Sequence, residues 1–139
     1  MIDMGAKAMA LVRINLTAAG LREHGTGRSA IKALADHRQG HGPVVILIHG
    51  FKFAPDAGEH CPHTHILSFN DNHACWKAKS WPKELGLDRD ESETLGIAYG
   101  WPARGSIWQA YERAAEAGRG LARLIRMIRK IAPDRPIHI

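Results

Sequence analysis

Long apolar runs are missing from this sequence: nothing approaches the roughly 18 residues that cross a bilayer, which argues against a membrane-spanning helix. The opening "MIDMGAKAMALVRINLT" carries Lys7 but no extended apolar stretch ahead of its polar residues, so it does not read as a secretory leader. A cytoplasmic location is the default expectation. Cysteine is scarce too: Cys61 and Cys75 are the only two, and in that compartment they are expected as reduced thiols. There is no C-x-x-C pair, no internal repeat and no low-complexity tract.

What is present suits one modest globular domain. The chain has 139 residues, of which 45% are hydrophobic and 24% charged, and both fractions argue against disorder. The formal net charge of +5 invites thoughts of nucleic acid. Much of the excess, however, falls on one carboxyl-terminal stretch: Arg113, Arg119, Arg123, Arg126, Arg129 and Lys130. Cations late in a helix complement its negative end, and a solvated face needs charge in any case, so the balance points away from nucleic acid.

Periodicity predicts alternating strands and helices. "ALVRINLT" reads as an early strand at a sheet edge. Thr26 is a candidate N-cap for a helix carrying Ile31, Leu34 and Ala35, stopped by Gly40, Gly42 and Pro43. Val44 to Ile48 has no polar alternation, as expected of a central parallel strand with helices on either side. From Lys52 to about Asn72 the chain reads as an irregular insertion, functional or mobile, and "ACWKAKSWPKELGL" as a short helix broken near Pro82. "DRDESE" is a solvated connection and "TLGIAYGW" a second buried strand. Ile107, Tyr111, Ala114, Gly118, Leu121, Ile125 and Ile128 recur at steps of four and three, which predicts a long amphipathic helix. Ser106 and Gln109 form a capping box at its start, Pro133 closes it, and Ala114, Ala115 and Gly118 would let it lie close on a sheet. "PIHI" resumes a strand pattern. The order predicts an α/β fold with a mainly parallel sheet.

The buried strand "VVILI" running into His49, Gly50 and Phe51, followed by "LGIAYGW", the long helix and "RPIHI", resembles the α/β-hydrolase superfamily, in particular bacterial lipase- or esterase-like members. The resemblance covers about Val44 to Ile139. It implies a partial α/β-hydrolase fold, with residues 1–139 forming a single incomplete domain. The loop after the strand would help form an oxyanion hole, with His49 and Gly50 at the matching positions, Phe51 as the N–H donor and Lys52 as the alternative. The competing reading is that His-Gly punctuates a turn, with His49 satisfied by a nearby carbonyl. Glycine would serve a sharp turn and a close approach to substrate. Phe53 and Trp101 are candidates to line an acyl pocket, among the aromatics Phe51, Trp76, Trp81 and Trp108, with Trp108 read as core.

No G-x-S-x-G occurs in the sequence. Ser29 and Ser106 read as helix starts, and Ser68, Ser80 and Ser92 lack an elbow around them. The resemblance therefore implies an N-terminal portion of a serine hydrolase acting on an ester or related acyl bond, with nucleophile, acid and histidine encoded after Ile139. No catalytic residue is assigned within the chain, which is expected to be inactive by itself. No metal or organic cofactor is implied, and the partner is a small-molecule acyl substrate. An alternative is a non-catalytic binding module. It would use either the basic helix for an acidic partner or His60, Cys61, His63, His65, His73 and Cys75, within the His/Cys-rich loop at about 52–75, for zinc. These six match no standard zinc spacing, and solvated loop histidines are the plainer account. Self-association through an exposed sheet edge is a further expectation.

Overall fold

The computed structural model describes residues 11–70, 79–89 and 93–139. Most of the predicted helical stretch "ACWKAK", the ligand candidates His73 and Cys75, Trp76, Ser92 and half of the run "DRDESE" lie outside the described residues. A five-stranded mixed sheet forms the centre, in the order β2-β1-β4-β3-β5: β1 is Leu11–Thr17, β2 Gly20–Glu23, β3 Val44–Ile48, β4 Leu95–Gly100 and β5 Ile137–His138. The β1–β4, β3–β4 and β3–β5 pairings are parallel, and only β1–β2 is antiparallel. The general α/β class is thus present.

The position of β1 corrects one expectation. It is interior, because the chain turns back over Ala18 and Ala19 and leaves through Gly20 at φ 99°, so that β2 takes the edge. Thr17 holds this turn: its hydroxyl accepts the Ala19 N–H at 3.1 Å and donates to the Gly20 carbonyl at 2.8 Å. The other edge is β5.

Strand alternation splits the core in two. Val12 and Ile14 of β1, Val44 and Ile46 of β3, and Leu95, Ile97 and Tyr99 of β4 face α1 (Ala30–Ala35) and α3 (Ile107–Ile131). On the reverse face, Leu47 and Ala98 pack with Ile66, Leu67 and Leu87. Among the described residues the predicted flanking by helices is uneven. Both longer helices share one face, and the other carries the one-turn α2 (Trp81–Glu84) together with irregular chain containing two 3₁₀ turns, Gly58–His60 and Pro62–Thr64. The described part of the insertion after Lys52 is therefore a structural cover. Pro82 does not break α2 but opens it, since the first turn needs no N–H from it, and Ser80 caps the start by accepting the Lys83 N–H at 3.1 Å.

Capping settles the helix boundaries. Ser29, not Thr26, occupies the N-cap of α1; Thr26 instead donates to Glu23 and accepts the Arg28 N–H, closing a turn beside the Arg28–Glu23 ion pair. The Ser106–Gln109 capping box of α3 is present in both halves. The buried face of α3 is displaced from the predicted stripe: Ala110, Ala117, Gly120, Leu124 and Ile128 face the sheet, while Ile107, Trp108 and Tyr111 are 66%, 78% and 77% exposed. Trp108 is thus not core, and Ala114, Ala115 and Gly118 are not the close-packing residues. Those are Ala117 and Gly120, above Tyr99, whose hydroxyl donates to the Ala117 carbonyl at 2.8 Å.

Candidate functional site

The parallel strands β3 and β4 end side by side, and the loop after β3 occupies this carboxyl rim, where open α/β sheets bind ligands. His49 fixes the loop. Its Nε2 accepts the Trp101 N–H at 2.9 Å, which leaves the proton on Nδ1, donated to the Gly50 carbonyl at 3.0 Å. Trp101 answers by donating its indole N–H to the His49 carbonyl at 3.0 Å, with the two rings stacked at 5.4 Å. Burial holds His49 below the usual histidine range, so it is a neutral structural staple between two strand ends. The reading that a carbonyl satisfies His49 is the one the geometry contains.

A second clamp follows. The Lys52 N–H donates to the Ala103 carbonyl at 2.9 Å, and the Ala103 N–H donates to the Phe53 carbonyl at 2.9 Å. The Lys52 N–H is thereby consumed, which removes the alternative oxyanion donor. Lys52 is the residue that adopts the left-handed conformation, at φ 75°, and its ammonium lies 5.9 Å from the Phe51 ring centre. Gly50 needs no left-handed φ, and a Cβ there would meet nothing within 4 Å. Open space, rather than a tight turn, is what glycine leaves at this position. Between the clamps stands Phe51, 43% exposed, whose N–H has no hydrogen-bond partner among the described residues.

The remaining pocket candidates are used in packing. Trp101 is buried against His49, and Phe53 is half-buried, edge-on to His49 at 5.8 Å and to His65 at 5.0 Å. Arg104 donates to the Lys52 carbonyl at 3.3 Å. The described members of the histidine-cysteine group, His60, Cys61, His63 and His65, do not converge on a metal site. Cys61 is buried with its sulfur accepting the Asp56 N–H at 3.3 Å, and among the described residues no three His, Cys, Asp or Glu side chains are placed to hold a metal ion.

His63 instead joins a buried polar network that sequence spacing does not reveal. Its Nε2–H donates to Asn15 Oδ1 at 2.6 Å, and Asn15 Nδ2 donates to His24 Nδ1 at 2.9 Å, with the two imidazole centres 4.1 Å apart. Residues 15 and 63 are 48 positions apart. A Cβ on Gly100 would fall 2.3 Å from Asn15 Oδ1, 2.8 Å from Pro55 Cγ and 2.9 Å from His63 Nε2, so this network and Pro55 together leave room only for glycine where β4 ends. His63 Nδ1 is buried with no partner among the described residues.

Burial, reinforced by the nearby His24, Arg13 and His49, drives the His63 pKa down to about 3. Acid stability follows. Above the ordinary value of 6.5 both folded and unfolded chains leave this ring neutral, and its contribution is complete. Below 6.5 the unfolded chain takes up a proton that the folded chain refuses, so stability falls by about 1.4 kcal/mol per pH unit until about pH 3. His49 adds a loss of the same sign. Urea unfolding at about pH 7 and about pH 5 is expected to differ by about 2 kcal/mol or more. His63→Gln, which can still donate to Asn15, is expected to flatten the profile; an unflattened one would remove His63 from this role.

Compared with family models, curated proteins and solved structures, the chain finds no match in any of the three.

Proposed function

We propose that the loop from His49 to Phe53 is the oxyanion-binding element of an acyl-transfer site of the α/β-hydrolase kind, acting on an ester or related acyl bond. The observation that carries the reading is the Phe51 N–H, without a partner among the described residues, on a loop clamped on one side by His49 and Trp101 and on the other by Lys52 and Ala103. A preorganised donor needs no reorganisation when negative charge develops on a carbonyl oxygen, and one such donor contributes roughly 3 kcal/mol to an acyl-transfer barrier. The adjacency of β3 to both β4 and β5, and the open space over Gly50, also support it.

These residues would polarise a carbonyl, and the attacking group lies outside them. Ser29 and Ser106 stand at helix N-caps, and Ser80 caps α2. His49 cannot act as the base while its Nε2 lone pair accepts the Trp101 N–H. The chemistry implied is hydrolysis through a serine acyl-enzyme, with no metal.

Phenylphosphonate, whose tetrahedral anion imitates the oxyanion, tests the reading by amide NMR. The Phe51 amide is expected to shift saturably, while the internally bonded Lys52 and Ala103 amides stay near their starting positions. Gly50→Val, placed in open space, is expected to keep the fold and abolish the Phe51 shift. A Phe51 amide that does not respond in the wild-type protein would overturn the proposal.

A further inference from the structure

α3 carries cations that the helix-end argument does not cover. Arg113 stands in its second turn, near the positive end of the helix dipole, and Arg119 and Arg123 follow in mid-helix. Together with Glu116 they lie at steps of three, three and four along one side. They form one wall of a cleft of about 560 Å³, and the other wall is Leu16, Thr17 and Ala18 at the end of β1, with Pro102 just past β4. The cleft therefore opens at the carboxyl rim of two parallel strands.

Charge in this cleft is uncompensated. Arg119 and Arg123 have no ion pair or hydrogen bond among the described residues, and Glu116, the one acid in the wall, pairs with none of the three arginines. Arg113 is positioned by donating to the Arg104 carbonyl. Guanidinium groups are planar forks matched to phosphate oxygens, and a concave wall of one sign concentrates the field more than a flat surface does. The volume lies in the range of small-ligand sites and far below what a nucleic-acid duplex would need.

We propose that this cleft binds a small molecule bearing a diphosphate group, with Arg119 and Arg123 forking its oxygens and Arg113 closing the inner end. The proposal does not depend on the acyl-transfer reading, whose loop is on the other side of β4.

Calorimetric titration with inorganic pyrophosphate at physiological salt tests it. Saturable binding of one pyrophosphate per chain is expected, accompanied by shifts of the Thr17 and Ala18 amides. The exposed pair Arg119→Gln/Arg123→Gln is expected to weaken it at least about tenfold without changing the denaturation midpoint. Arg126→Gln/Arg129→Gln removes equal charge from the same helix outside the cleft and is expected to change affinity by less than about twofold. Equal losses in the two pairs would reduce the cleft to a diffuse basic surface and overturn the proposal. So would no saturable binding, or tighter retention of a mixed-sequence DNA duplex that both pairs weaken alike.

Discussion

Gly120→Val is expected to cost about 3 kcal/mol of folding free energy, although glycine is among the poorest residues for a helix interior. A Cβ at this position would lie 2.5 Å from the Tyr99 hydroxyl and 3.1 Å from a Leu16 methyl. The hydroxyl cannot retreat cheaply: Tyr99 is 1% exposed and its hydroxyl is bonded to the Ala117 carbonyl. Burial also raises its pKa to about 12, so the ring presents a neutral hydroxyl at any physiological pH. Even Gly120→Ala, which gains about 1 kcal/mol in helix propensity, is expected to be net destabilising. The double-mutant cycle is decisive. In a Tyr99→Phe background, where the obstructing oxygen is gone, Gly120→Ala is expected to become neutral or stabilising. Additive effects across the cycle would show that the close approach of α3 to β4 is not what glycine provides.

Arg135→Met is expected to cost about 3 kcal/mol, measured by urea unfolding, and Arg135→Lys to recover less than half of it. The Arg135 side chain is buried at the amino rim of the sheet. Its Nε donates to the Gly42 carbonyl at 2.6 Å, one Nη to His37 at 3.1 Å and the other to Glu93 at 2.8 Å. Those carbonyls come from the segments that lead into β3 and β4. Methionine would fill much of the space and take the donor away from all three acceptors. Lysine keeps the charge, but its single ammonium cannot spread over three carbonyls. If Arg135→Met left stability unchanged, water would have to replace the guanidinium at these carbonyls without loss.

The elements that were legible in the sequence are those whose signals are local. Val44–Ile48 and Leu95–Gly100 lack polar alternation because both their faces are covered, and the Ser106–Gln109 box marks the start of α3 by its spacing alone. β2 was not legible, since "TAAGLRE" lacks the Asn-Gly or Asp-Gly pair that announces a hairpin, and its one cue is Gly20. The orientation of α3 misled for a physical reason. Helical spacing finds the bulky stripe through Ile107 and Tyr111, whereas the space above Tyr99 and Leu16 admits only Ala117 and Gly120. The irregular cover contributes Ile66 and Leu67 at no regular period, so pattern reading sees only loop.

At the candidate site the loop after β3 could be read, because a strand running into His-Gly is contiguous. The roles within it could not. That Lys52 is clamped and Phe51 is not depends on Ala103, and that His49 is a staple depends on Trp101, both contributed by the chain after β4. Asn15, His24 and His63 meet only because β1 and the 3₁₀ turn at Pro62–Thr64 come together in space. The arginine cleft is intermediate: its four α3 residues share a helical spacing, but the facing wall from the end of β1 does not.

The guanidinium at position 135 also sets an order of assembly. It binds carbonyls made 98 and 93 residues before it, at His37 and Gly42. While the polypeptide is being synthesised, β1 to β4 and α3 are all made before the group that seals this rim. The amino side of the sheet is thus closed by a residue that follows all of β1 to β4 in the chain, and until it is in place these carbonyls lack their guanidinium donor.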